Sequence, residues 1–159
     1  YIYEECNWTD DMELAAVQLY VSTGETSFLQ EAVEYGRFEP VTPWMGADSA
    51  RHYQWYPFIN LGHYHLASVS DSRISKEFGR NLRSGIERVY ERAQGNPFLN
   101  GVPAIWCSNN LTVAMATQCR LYRELLRIGF HIKGLLKVAL IPQCYAVVRL
   151  AFLLFNFNR

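Results

Sequence analysis

The sequence predicts an all-α protein built from helical hairpins, on three observations. Apolar residues recur at three- and four-residue intervals in successive stretches between residues 9 and 125, and no segment there alternates convincingly with the period of two that a strand requires. Turn and cap signals separate the stretches: Thr23-Gly24, Ser70-Asp71-Ser72 and Gly95-Asn96-Pro97. The helices also come in two kinds. The first, third and fifth are small and apolar nearly all round, whereas the second and fourth carry a charged face. Such inner–outer alternation is the pattern of hairpins arranged in a layered barrel or solenoid.

Taken in order, Met12, Ala15, Ala16, Leu19 and Tyr20 define the stripe of the first helix, which Thr23-Gly24 stops. Ser27 with Gln30 has the spacing of a capping box and opens a second helix to about Tyr35. A loop holding Pro40, Pro43 and Gly46 follows. Trp55, Phe58, Ile59, Gly62 and Leu66 mark the third helix, with Pro57 in its first turn. The fourth, capped by Ser70-Asp71-Ser72, aligns Ile74, Phe78, Leu82, Ile86, Val89 and Tyr90 on one face. Lys76, Glu77, Arg80, Arg83, Glu87, Arg88, Glu91 and Arg92 fill the other, a solvated outer surface. The fifth starts near Ser108 and buries Leu111, Ala114, Met115, Gln118, Leu121, Tyr122 and Leu125.

With 159 residues, half of them apolar, the chain suits one ordinary domain with a core of its own. Lys+Arg and Asp+Glu balance at 15 each, which gives no electrostatic footprint for nucleic acid. Cys6, Cys107, Cys119 and Cys144 show no CxxC or Cys/His ligand spacing, so no metal or other cofactor is expected. The balance of charge hides a break. Every Asp and Glu lies in residues 1–124, while the tail carries only Arg127, Lys133, Lys137, Arg149 and Arg159 among Leu, Ile, Val and Phe. The chain accordingly divides into 1–125 and 126–159.

Each inner helix is entered through aromatics: Asn7-Trp8-Thr9, Tyr53-Gln54-Trp55-Tyr56 and Ile105-Trp106-Cys107-Ser108. Three tryptophans at the same end of three inner helices would gather at one rim. Taken singly, each also suits the role of a core anchor. Their recurrence favours a cleft, because an indole face stacks on the C–H face of a sugar while Asn, Gln, Ser and His satisfy its hydroxyls. The sequons at Asn7 and Asn110 lie at helix mouths and read as structural.

The stretch "NWTDDMELAAVQLYVSTGETSFLQEAVEY" resembles the Asp/Glu-x-x-x-Ala-Ala-x-x-Leu-Tyr-x-x-Thr-Gly-Asp/Glu repeat of glycoside hydrolase family 9, the cellulase-like enzymes. "DSARHYQWYPFINLGHYHLA" is similar to that family's next inner helix, and "FLNGVPAIWCSNNLTVAMATQCRLYREL" to its Gly-Val-Pro-x-x-Trp-x-Ser-Asn helix. The likeness covers about Tyr3 to Leu125, with the elements in order. It implies about half of an (α/α)6 barrel whose cleft cuts β-1,4-glucan or a related β-glycan with inversion, in a secreted or periplasmic parent protein whose signal peptide is not in this chain. It also implies that Trp8, Trp55 and Trp106 line glucose subsites, with His52, Tyr53 and Asn109 as polar contacts. His63 and His65 lie farther along their helix and read as packing or surface residues.

One departure bears on activity. Inversion needs a carboxylic acid and a carboxylate roughly 6.5–9.5 Å apart. The family's Asp-Ala-Gly-Asp motif and its C-terminal Glu have no counterpart in this sequence. Asp10 and Asp11 open a helix, where a carboxylate is favoured by the terminal dipole. Asp48 suits a sugar contact or a cap equally. No catalytic residue is therefore assigned, and the chain alone is expected to be inactive. Half a barrel would leave apolar flanks uncovered, which favours self-association.

For the tail three readings stand: non-native sequence such as a shifted frame after Leu125, a membrane-associated helix pair, or a divergent core helix. The apolar run 138–155 nears membrane-spanning length but is interrupted by Pro142, Gln143 and Arg149. Two rivals to the hydrolase fragment follow: a non-catalytic helical module that binds carbohydrate or protein, and a membrane-anchored helical protein.

Overall fold

The computed structural model describes residues 8–38, 41–43, 49–51, 61–69, 71–95, 97, 101–102 and 108–128. Five helices dominate: α1 (Thr9–Thr23), α2 (Thr26–Phe38), α3 (Leu61–Val69), α4 (Ser72–Gln94) and α5 (Ser108–Ile128). Two three-residue strands, β1 (Val41–Pro43) and β2 (Ser49–Arg51), pair antiparallel with Thr42 opposite Ala50, inside the stretch expected to be loop. They are too short to disturb the all-α class.

Local chemistry accounts for the ends. Asp10 and Asp11 sit in the first turn of α1. Gly24 ends that helix at φ 74°, donating its N–H to the Tyr20 carbonyl at 2.8 Å, the left-handed stop that only glycine adopts without strain. The Thr23 hydroxyl donates to the Leu19 carbonyl and accepts the Glu25 N–H, so one side chain closes α1 and steers the chain into α2. α2 begins at Thr26, which places Ser27 inside the first turn rather than at the cap expected of it. Asp71 caps α4 as anticipated, its Oδ1 accepting from Arg73 N at 2.8 Å and Ile74 N at 3.0 Å. α5 continues through Ile128, past the composition break at Leu125.

α1 lies against α2 and α3, α2 also against α3, α3 against α4 and α5, and α5 against α4. Every residue of α3 is at least partly buried, as an inner helix requires. α4 buries Phe78, Leu82, Ile86, Val89 and Ala93 at successive turns and leaves its charged face in solvent. The Ser75 hydroxyl donates to the Ala67 carbonyl at 2.7 Å, joining α4 to the end of α3. Arg37 on α2 grips Glu77 on α4 through two bonds of 2.8 and 2.9 Å, spanning the outer layer.

Two apolar clusters result. One joins Ala16, Val17, Ala32, Val33, Leu66, Ala67 and Phe78 from α1 to α4. The other joins Leu82, Ile86, Val89, Val102, Met115, Cys119 and Tyr122 from α4, α5 and the loop between them. Leu125 borders both. Gly101 passes so close to α4 that a Cβ there would overlap the Val89 carbonyl oxygen.

The first helix departs from its expected face. Its buried side runs through Thr9, Glu13, Ala16 and Val17. Met12 (41% exposed), Ala15 and Leu19 (46%) point outward instead, in line with Trp8 (60%). A carboxylate has displaced apolar side chains from the interior, and the reason lies in α2 and α3.

Candidate functional site

Of the three tryptophans expected at a rim, Trp8 is the one among the described residues. Trp8 stands at the mouth of α1 with its indole exposed, its edge against Tyr35 of α2 (centroids 6.0 Å apart, planes at 72°). Its carbonyl accepts the Met12 N–H, while its side chain takes no part in capping. Trp8 is thus no core anchor, since 60% of the residue is exposed. His52, Tyr53, Trp55 and Trp106 fall outside the described residues. Asn109 lies in the first turn of α5, where the backbone alone is described. The threonines of both sequons, Thr9 and Thr112, are buried in their helices.

Beneath that mouth lies a polar centre that the sequence did not single out. Glu13 on α1 and His63 on α3 are both wholly buried. His63 Nδ1 lies 2.6 Å from one Glu13 carboxylate oxygen and 2.8 Å from the other. With Glu13 ionised the carboxylate can only accept, and Nδ1 is then the donor to both oxygens. The carboxylate is gripped by glycines. A Cβ on Gly62 would come within 2.7 Å of Glu13 Cδ, and one on Gly36 within 2.8 Å of Glu13 Oε1 and 2.5 Å of Phe78 Cε1. Phe78 in turn meets the His63 ring edge-to-face at 4.7 Å. Four helices therefore converge on one carboxylate: α1 supplies it, α2 and α3 make room with glycine, α3 donates the hydrogen bond, and α4 closes the site with an aromatic edge.

His63, expected at a packing or surface position, is buried in the packing, and it meets Glu13 through a hydrogen bond as well as Phe78 through its ring. The available signal was the pairing of Glu13 in the series 9, 13, 16, 17 with glycines at inward positions 36 and 62, and it becomes legible only when those helices are placed side by side.

Neither member of the Glu13–His63 pair has exposed surface. Other ionisable groups are displaced by ordinary causes. The carboxyl of Glu77 is held below its usual range chiefly by the hydrogen bond from Arg37. That of Asp71 is lowered by the Ile74 and Arg73 N–H groups it caps. Burial disfavours the charged form of His65 and lowers its pKa. Among the described residues, no three His, Cys, Asp or Glu side chains are grouped to hold a metal, and no helix is long and apolar enough to cross a membrane. The apolar run 138–155 lies outside those residues.

No protein-family model matches the chain, and neither the curated proteins nor the solved structures provide a match.

Proposed function

We propose that the chain is part of a glycoside hydrolase family 9-type (α/α)6 barrel, that it contributes aromatic subsites for β-1,4-glucan or a related β-glycan, and that its parent protein is secreted or periplasmic. The observation that carries this reading is the exposed indole of Trp8 at the mouth of an inner helix within an ordered array of hairpins. The resemblance over residues 3–125 supplies the equivalent roles of Trp55 and Trp106, with His52, Tyr53 and Asn109 as polar partners. The chain holds no assigned catalytic carboxylates, so binding without hydrolysis is expected of it.

Titration with cello-oligosaccharides, followed by tryptophan fluorescence, tests the reading. A saturable change is expected, reduced in Trp8→Ala and abolished in Trp55→Ala/Trp106→Ala. A folded sample with no response, or a response that survives all three substitutions, sinks it. Release of reducing sugar would overturn the assignment of no catalytic residue.

A non-catalytic binding module is the second reading. The outward line of Trp8, Met12 and Leu19 favours it, because an apolar helix face can serve a protein partner or a second copy as well as a sugar. Sedimentation of wild type against Leu19→Lys separates the two: loss of an oligomer with sugar response intact assigns the face to self-association.

A further inference from the structure

We propose that the buried Glu13–His63 pair is a register pin: it selects one docking of α1 on α3 from several packings that small side chains would otherwise allow. This inference stands on the packing alone and is independent of the glycan reading.

Around the pair, the α1–α3 junction is lined by Ala16, Val17, Gly62, Leu66 and Ala67. Three of these five, Ala16, Gly62 and Ala67, offer little relief, and surface of that kind opposes sliding only weakly. Glu13 changes that. In the observed register its two oxygens meet the His63 Nδ1–H at 2.6 and 2.8 Å, and its stem fits where Gly36 and Gly62 lack a Cβ. Advance α1 by one turn, about 5.4 Å, and the carboxylate loses both features. It would face side chains in place of glycine hydrogens, and a buried charge would stand without its donor. The penalty applies to every register but one, which is how a buried polar contact confers uniqueness without adding net stability. Placing the contact where α1, α2, α3 and α4 converge makes one choice serve two hairpins.

The test compares near-isosteric variants of the full chain by amide hydrogen exchange and two-dimensional NMR. In Glu13→Met/His63→Leu the far-UV helical signal should persist. Residues 9–23 and 61–69 should show doubled or broadened resonances and at least tenfold faster exchange. A single sharp set with protection within about twofold of wild type would overturn the pin. Loss of the helical signal would overturn it too, because the pair would then be supplying stability instead of choosing among packings. Glu13→Gln provides an independent arm, since its amide oxygen still accepts from Nδ1. One native set of resonances is expected there, and a doubled set would refute the assignment of the pinning to that hydrogen bond.

Discussion

The two ends of the helical array hold together by different means. At the α1–α3 junction Ala16, Val17, Leu66 and Ala67 surround a carboxylate hydrogen-bonded to His63. At the α4–α5 junction Leu82, Ile86, Val89, Met115 and Tyr122 pack as bulk hydrocarbon, and the buried polar Gln118 donates to the Leu82 carbonyl at 3.1 Å. Apolar packing scales with area and tolerates change of shape. A buried polar pair tolerates almost none, because deleting one partner exposes the desolvation cost of the other. The same chain thus has one region that should degrade gradually under mutation and one that should fail abruptly.

That contrast is breakable by experiment. Glu13→Ala removes the carboxylate that His63 meets and opens a void, and should lower stability by about 3–5 kcal/mol, read from the urea midpoint at constant m. Ile86→Ala in the other cluster removes wholly buried hydrocarbon and should cost roughly 2–4 kcal/mol, depending on how far α4 and α5 close the gap. If Glu13→Ala costs no more than about 2 kcal/mol, the contrast between the two regions fails. Gly62→Ala pits a gain in helix propensity near 1 kcal/mol against overlap with Glu13. A net loss of roughly 1–2 kcal/mol is expected, and a more stable protein in thermal melts would show that the grip on Glu13 is loose.

The smallest effect belongs to the outer layer. Arg37 and Glu77 are partly exposed, so a double-mutant cycle should return only about 0.5 kcal/mol, screened by salt. Its pH dependence has a definite sign. The Glu77 and Asp71 carboxyls are lowered on folding. The stability they contribute is present above their unfolded values and is lost as pH falls through the folded ones, below the ordinary carboxylate range. His65, also lowered, adds an earlier phase: its contribution is present above its ordinary value near 6.5 and declines as pH drops from there. Melting temperature followed from pH 8 to 3 should therefore fall in two steps, and His65→Gln should remove the first.

Much of this architecture is legible in one dimension. Gly24 and Asp71 end and begin helices through contacts within three or four residues, so their roles survive reading without coordinates. The stripe of α4, Phe78 through Val89, is long, strongly periodic and faced by charge, and it is buried as expected. The failures have a common cause. For α1, apolar count alone favoured Met12 and Leu19 over Glu13, because intrinsic hydropathy ranks a carboxylate last for burial. Of the site, only Trp8 can be compared with its expected place; its aromatic character and position at a helix start were readable, whereas its exposure depended on what α2 brought beside it.

Local sequence, acting through periodicity, caps and the charged faces of α2 and α4, was enough to specify five helices, since these depend on neighbours a turn or two away. Which side of α1 turns inward was decided by tertiary contact. The burial of Glu13 is tolerable because a histidine fifty residues along the chain donates to it, and because two glycines on separate helices leave it space. A contact energy that exists only after distant helices meet cannot be inferred from the residue that benefits from it.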